Sequence, residues 1–239
     1  VFLNSYVPEM RDRIWLEMGV RVPGVRVRGN EGDLPSGTYV IMLDEVPLVM
    51  GTLYRDWYYS LASSDALQAL GIPESALRPA LRPNGTPGCW VKPETRAVIA
   101  ENGFELWTDS LRYMANHLET LLRRNLADFV GVQEVANLLD IWAQEEEMST
   151  VLTHLQSDAV CQLRFGRVLR ALLAEQVSIA PWREILRVIQ DVGLPHDDVH
   201  KAVQAVRLRL KPYLPGNGPQ ILRKQVPESV ETRVARWLQ

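Results

Sequence analysis

Apolar residues along the first twenty positions fall at helical intervals. Val7, Met10, Ile14 and Met18 recur at spacings of three and four, with Pro8 near the start and Gly19 just beyond, which predicts an amphipathic helix over residues 5–18. The period then changes. Val25-Arg26-Val27-Arg28 alternates apolar with charged residues, the pattern of a half-buried strand. Thr38 to Leu43 is a β-rich run that Asp44-Glu45 turns back into Val46 to Tyr54, predicting a hairpin. Gly29 to Gly37 lies between the strand and the hairpin as a connecting loop; no helix opens after its glycines, so it makes no phosphate cradle.

The middle of the chain has a different texture. A short helix at 64–70 ends at Gly71, and a loop rich in proline and glycine runs from Pro73 to Gly88. Cys89-Trp90-Val91, a helix from Pro93 to Asn102 and a strand from Phe104 to Trp107 complete what reads as a small α/β insertion. From Asp109 onward the pattern is helical. Leu111, Met114, Leu118, Leu121, Leu122 and Phe129 mark one long face, Val135, Leu138, Leu139 and Trp142 a second, and Val160, Leu163, Leu169, Leu172 and Leu173 a third. Ile185, Ile189 and Val192 give a fourth, from Pro181 to Gly193, and Val199, Val203, Val206 and Leu210 a fifth, stopped by Pro212. No internal repeat or low-complexity tract interrupts them.

With 239 residues, 46% of them apolar, the chain can bury a substantial core, which excludes a disordered or fibrous protein. A net charge of −3 provides no positive field for nucleic acid or anionic lipid, so neither is expected as a partner. Cys89 and Cys161 lie far apart with no second thiol near either; they read as buried, reduced cysteines rather than a redox pair or a zinc cage. No apolar run reaches the ~18–20 residues that a membrane span needs. Residue 1 is valine, and the chain stops at Arg236-Trp237-Leu238-Gln239 without a helix-ending glycine, asparagine or proline, so a larger parent is expected.

Candidate chemistry is sparse. His196-Asp197-Asp198-Val199-His200 sets two imidazoles one helical turn apart, the outline of a zinc-protease helix, and a metal-dependent hydrolase using His196 and His200 is the alternative from another functional class. Asp197 is shorter than the glutamate base of that motif, a third ligand is lacking because His117 and His154 lie far back, and both aspartates suit a helix N-terminus. No GxSxG, GxxxxGK[ST] or GxGxxG motif occurs, so no catalytic residue, metal ligand or cofactor is expected. Trp57-Tyr58-Tyr59 lacks interleaved basic residues and reads as core packing rather than as a stacking platform. Two charge patterns suit association. Arg164, Arg167 and Arg170 recur every third residue as a basic stripe, and Glu145-Glu146-Glu147 ends the preceding helix. Opposite patches on different faces of one subunit are what a head-to-tail ring requires; a monomeric protein-binding adaptor is the other non-enzymatic alternative.

A family resemblance joins these features. Met18-Gly19-Val20-Arg21-Val22-Pro23-Gly24-Val25-Arg26-Val27-Arg28, then Tyr39 to Gly51 with Glu45-Val46-Pro47 in the turn, resembles the start of the cytosolic domain of the type III secretion export gate family, whose injectisome branch is SctV and flagellar branch FlhA. The similarity continues through Asn116-His117-Leu118, Gly131-Val132-Gln133-Glu134-Val135, the run from Val168 to Ile179, and Leu214-Pro215-Gly216-Asn217. It covers essentially the whole chain in order, and the injectisome branch fits better.

The resemblance implies a non-enzymatic transport component on the cytoplasmic face of the bacterial inner membrane. It implies a nonameric ring below the export channel that receives secretion chaperones with their substrates, with gatekeeper and ATPase-stalk proteins as further partners. The fold implied is α+β with several subdomains: a first α/β subdomain over 1–55 and 110–129, a second inserted at 56–109, a helical third at 130–207, and the start of a truncated fourth at 208–239. The membrane-embedded half would belong to the parent. In the flagellar branch a dimple between the first two subdomains receives chaperones. Its threonine aligns with Asn116, whereas its Asp and Phe have no counterpart in the aligned stretch Leu81-Arg82-Pro83-Asn84-Gly85-Thr86. Asn116, with Arg82, Asn84, Gly85 and Thr86 at the lip, is therefore the expected partner-binding cleft. Arg164, Arg167, Arg170 and Glu145 to Glu147 are the expected oligomer interface.

Overall fold

The first helix forms where its period places it. In the computed structural model, which describes residues 1–29, 32, 34–145, 150–194 and 199–211, α1 spans Val7–Met18 after a single wide turn at Phe2–Tyr6 and buries Val7, Met10 and Ile14. It ends at Gly19, whose φ of 72° favours glycine. A Cβ there would lie 2.6 Å from the backbone nitrogen of Ala180. Main-chain contact explains the closeness: Ile179 N donates to Met18 O at 3.0 Å.

Val25 to Arg28, expected as a strand, pairs with no strand among the described residues. Val25 is half-buried, but Val27 is 57% exposed, so the alternation has no sheet to satisfy. Arg28 instead grips Glu45 through two hydrogen bonds of 3.2 and 2.9 Å. The hairpin is present as β1 (Thr38–Leu43) and β2 (Val46–Thr52), an antiparallel pair ending slightly short of Tyr54. Asp44 and Glu45 both take positive φ, the handedness that matches strand twist in a two-residue turn. Register shifts between Ile41 and Met42, where Met42 faces Pro47, a residue without an N–H to donate. Tyr39 packs across Gly51; a Cβ at position 51 would meet its hydroxyl at 2.3 Å.

The next segment builds a four-stranded antiparallel sheet in the order β4-β5-β3-β6. Its strands are β3 (Tyr58–Ser60), β4 (Leu77–Leu81), β5 (Pro87–Val91) and β6 (Leu106–Trp107). Strand β4 corrects the expected loop from Pro73 to Gly88. Pro79 argues against a strand in sequence, yet β4 is an edge strand, where a missing N–H is tolerated. Helix α2 (Ser64–Ala69) is capped by Ser63 Oγ, which accepts from Ala66 N at 3.2 Å. The helix expected at 93–102 divides into a tight turn at Pro93–Thr95 and α3 (Arg96–Glu101). Leu67, Cys89, Val91 and Ile99 form the sheet's own core on one side.

The rest is helical, as the periodicity indicates. Helix α4 (Ser110–Arg124), capped by Asp109, breaks at Asn125, and a separate tight turn at Leu126–Phe129 continues the apolar face that reads as one helix in sequence. Helices α5 (Val132–Glu145), α6 (Thr150–Ser157), α7 (Ala159–Ala174), α8 (Trp182–Val192) and α9 (Val199–Leu210) follow. Helix α6 has no counterpart among the elements the sequence pattern predicts; its buried Leu152 and Leu155 give too short a pattern to announce it. Ile14, Leu126, Leu139, Phe165, Leu169 and Ile185 share one buried cluster, so α1 packs into the same core as the helical half. Gly166 lets α7 approach α5: a Cβ there would lie 3.1 Å from Val135 Cγ2. Among the described residues the architecture is α+β, with two small antiparallel sheets beside a helical core.

Glu119 ties α4 to α1. It accepts from Arg13 at 2.6 Å and from Arg123 at 2.8 and 3.0 Å, while Arg123 also reaches Glu17 at 2.7 Å. Burial pushes the Glu119 carboxyl up, but the hydrogen bonds from Arg13 and Arg123 outweigh it and hold the group below its ordinary value of 4.5. The carboxylate therefore contributes stability that is fully present above that value and is lost as pH falls through the depressed folded-state value. Glu119→Gln is expected to destabilise the fold by about 1–2 kcal/mol near neutral pH, with the half-exposed Arg13 keeping the loss modest. Urea denaturation of both proteins should show the difference vanish in acid.

Candidate functional site

Three side chains on successive positions of one α4 face organise the site. Tyr113 points into the four-stranded sheet, where its ring lies 4.6 Å from that of Tyr59 and 5.1 Å from that of Trp90. Its hydroxyl donates to Leu81 O at 2.9 Å. One turn on, a 2.7 Å hydrogen bond joins His117 Nδ1 to the Tyr39 hydroxyl of β1. Burial, with Arg124 nearby, pushes the His117 imidazole below its ordinary value, and burial raises the Tyr39 hydroxyl well above its own, so the pair is neutral near neutral pH. Helix α4 thus holds the sheet at Tyr113 and the hairpin at His117.

Asn116 lies between these two anchors, half-buried, with no side-chain hydrogen bond to any described residue. Its amide can therefore offer both donor and acceptor to an incoming group. The expected lip is the tip of the β4–β5 hairpin, and Tyr113 fixes its base at Leu81, one helical turn from Asn116. The tip is prearranged. Arg82 N donates to Thr86 O and Gly85 N to Arg82 O, both at 2.8 Å, and Asn84 Oδ1 accepts from Thr86 N at 3.1 Å and Thr86 Oγ1 at 2.7 Å. Gly85 takes a φ of 87° that favours glycine. Arg82 itself is spent on the scaffold, donating to Pro87 O and Leu61 O. Asn84, Gly85 and Thr86 remain exposed.

Trp57-Tyr58-Tyr59 is packing, as expected: Tyr59 is fully buried against Trp90, Trp107 and Tyr113. Sequence reading did not anticipate Arg78, whose guanidinium lies 4.6 Å from the ring centres of both Tyr54 and Trp57. The arginines of α7 divide. Arg164 is half-buried, whereas Arg167 and Arg170 are exposed, because a repeat of three drifts around a helix of 3.6 residues per turn. None of the three forms an ion pair with a described carboxylate. Glu145 ends α5, and Glu146 and Glu147 lie outside the described residues.

His200 is exposed in the first turn of α9, and His196, Asp197 and Asp198 lie outside the described residues. Of the cysteines, Cys89 is buried but Cys161 is only half-buried, contrary to expectation, because it sits at the corner where α7 begins, beside His154 and Asp158. A separate hollow of about 280 Å³ is lined by Val20, Arg21, Phe129, Glu134 and Ile141, and Asn116 is not part of it.

Residues 2–222 match the FHIPEP family. Low calcium response locus protein D of Yersinia pestis is 30% identical over 214 residues, 90% of this chain and 29% of that protein. Flagellar biosynthesis protein FlhA of Salmonella typhimurium is 27% identical over 220 residues, 90% of this chain and 31% of that protein. The chain thus spans about a third or less of the curated relatives it matches. Among solved structures, the Chlamydia pneumoniae CdsV and CdsO protein complex contains a chain that aligns with a TM-score of 0.75 at 24% identity, covering 89% of this chain and 59% of that one. Nonameric EPEC SctV-C aligns with a TM-score of 0.66 at 19% identity, covering 88% and 61%. These likenesses establish the fold.

Tyr113→Phe keeps the ring and removes one hydrogen bond, which is expected to destabilise the protein by about 1 kcal/mol. Hydrogen exchange should quicken at the Arg82 and Gly85 amides of the tip and stay unchanged in α7.

Proposed function

This chain belongs to the FHIPEP family, and on that premise we propose that it is the ring-forming cytosolic module of a type III secretion export gate, receiving chaperone–substrate complexes and passing proteins to an inner-membrane channel. Among the described residues, no helix is long and apolar enough to cross a membrane. Membrane attachment is assigned to other parts of the parent, with this module at its cytoplasmic face. The division into subdomains at 1–55 with 110–129, 56–109, 130–207 and 208 onward is part of the same reading. The missing counterparts of the flagellar dimple's Asp and Phe favour the injectisome branch.

The observation that carries the receiving role is the unengaged Asn116 amide one helical turn from Tyr113, which holds the base of a prearranged hairpin tip. Exposed loops on rigid elements commonly carry recognition, and here Tyr113 provides the rigidity. Secretion chaperones with substrates are the proposed occupants, and gatekeeper and ATPase-stalk proteins the proposed neighbours; the solved CdsV and CdsO complex supports a protein partner for this fold. The work is binding and conformational change, without bond chemistry.

The ring reading is supported by the nonameric assembly of SctV-C. Its proposed contact uses Arg164, Arg167 and Arg170 on one subunit against the acidic run Glu145, Glu146 and Glu147 on the next. Each exposed pair contributes at most ~1 kcal/mol, so closure depends on several contacts repeated around the ring.

Two outcomes test these roles. Asn116→Trp should fill the cleft and weaken binding of a cognate chaperone–substrate complex by about tenfold or more, equivalent to ~1.4 kcal/mol, with the fold unchanged by circular dichroism. Unchanged affinity for every cognate chaperone would remove the cleft from the mechanism. Arg167→Glu with Arg170→Glu should reduce both assembly, measured by light scattering, and secretion, and raised salt should act in the same direction. Intact rings in the double variant would leave these arginines as solvated charge.

A further inference from the structure

The corner between α6 and α7 gathers three donor side chains in the spacing His154-x3-Asp158-x2-Cys161. Cys161 Sγ lies 3.5 Å from His154 Nε2 and 3.3 Å from Asp158 Oδ2. All three ligand atoms lie within 4.8 Å of one another. We propose that this corner binds a borderline-soft divalent transition-metal ion, Zn²⁺ being the representative, through these three side chains and one position open to water.

The two separations from the sulfur fit before any metal arrives. Zn–S bonds of about 2.3 Å and Zn–N or Zn–O bonds of about 2.0–2.1 Å at tetrahedral angles place sulfur roughly 3.5–3.6 Å from each of its partners. Both measured separations agree to within about 0.3 Å of that arrangement. The carboxylate is also held in place. Asp158 Oδ1 accepts from Val160 N at 2.8 Å and Cys161 N at 3.1 Å, capping α7 and leaving Oδ2 directed at the thiol. Those bonds, the one from Cys161 N first, hold the Asp158 carboxyl below its ordinary value, so it is an anion ready to coordinate.

Without metal, the Cys161 thiol donates to Asp158 Oδ2; burial and then this hydrogen bond raise the thiol above its ordinary value. Coordination exchanges that proton for a cation. The S–H bond breaks, its proton leaves to solvent, and a sulfur–metal bond forms with no change in oxidation state. A set of thiolate, imidazole and carboxylate selects against Mg²⁺ and Ca²⁺, which take oxygen ligands. His154 is exposed and the other two half-buried, so an ion reaches the corner directly from solvent. Three protein ligands with one open position describe an exchangeable site rather than the closed cage of a structural zinc.

The test titrates the reduced, metal-free 239-residue chain with Co²⁺ and then Zn²⁺. One equivalent of Co²⁺ should produce a thiolate-to-metal charge-transfer band, and Zn²⁺ should abolish it. Cys161→Ser and His154→Ala should remove the band and weaken Zn²⁺ by about 100-fold or more; Asp158→Asn, which retains a helix cap, should weaken it at least ~10-fold. His200→Ala should change nothing, which separates this corner from the His196 and His200 pair. Circular dichroism checks each fold, and exposed His154 provides a variant that removes no buried contact. No band in the wild-type chain, or a band that survives Cys161→Ser or His154→Ala, overturns the site.

Discussion

Tyr113 is committed on two sides, and the placement of the site depends on that commitment. Its ring completes a cluster with Tyr59, Trp90 and Trp107, and its hydroxyl occupies the carbonyl of Leu81 at the end of an edge strand. Burying such rings contributes strongly through area, but area alone does not specify orientation. The directional bond does: it ties the end of β4 to α4. His117 and Tyr39 perform the corresponding task for the other hairpin. Helix α4 is thereby held by two elements at once, and the Glu119 network secures it to α1 as well.

The parts legible in the sequence are those in which one local signal suffices. The Asp44-Glu45 turn announces its hairpin, and Gly193, with a φ of 71°, stops α8 where the apolar period ends. The misses arise where a tertiary setting overrides a local rule. Pro79 hides β4 because only sheet order reveals an edge strand. The break at Asn125 is silent because Leu126 remains buried in phase with α4. For the cleft, the tip was legible as a loop, but the use of Arg82 within the scaffold required knowledge of Leu61's position. His154, Asp158 and Cys161 stand at helical intervals, yet one isolated thiol gives no metal signature until two helices meet around it.

The near balance of 26 basic and 29 acidic residues conceals an unequal use of arginine. Arg78 and Arg112 cover aromatic faces, Arg123 joins two helices, and Arg82 serves backbone carbonyls. These cations have internal work. Arg167 and Arg170 extend from a helix whose opposite face is packed with Phe165, Val168 and Leu172, and no described acid neutralises them. A net charge cannot distinguish the two groups; their surroundings can.

At Gly19 the end of α1 meets the connection between α7 and α8 backbone to backbone, with the short Ser178 side chain as the one hydrogen-bonding addition. Ile179 N bonds to Met18 O, Ser178 Oγ to Glu17 O, and there is no room for even a Cβ. Main chain therefore bears directly on main chain, between segments distant in sequence. A displacement of α1 along its axis is transmitted to the α7–α8 connection as a rigid push, without first compressing side chains that could absorb it.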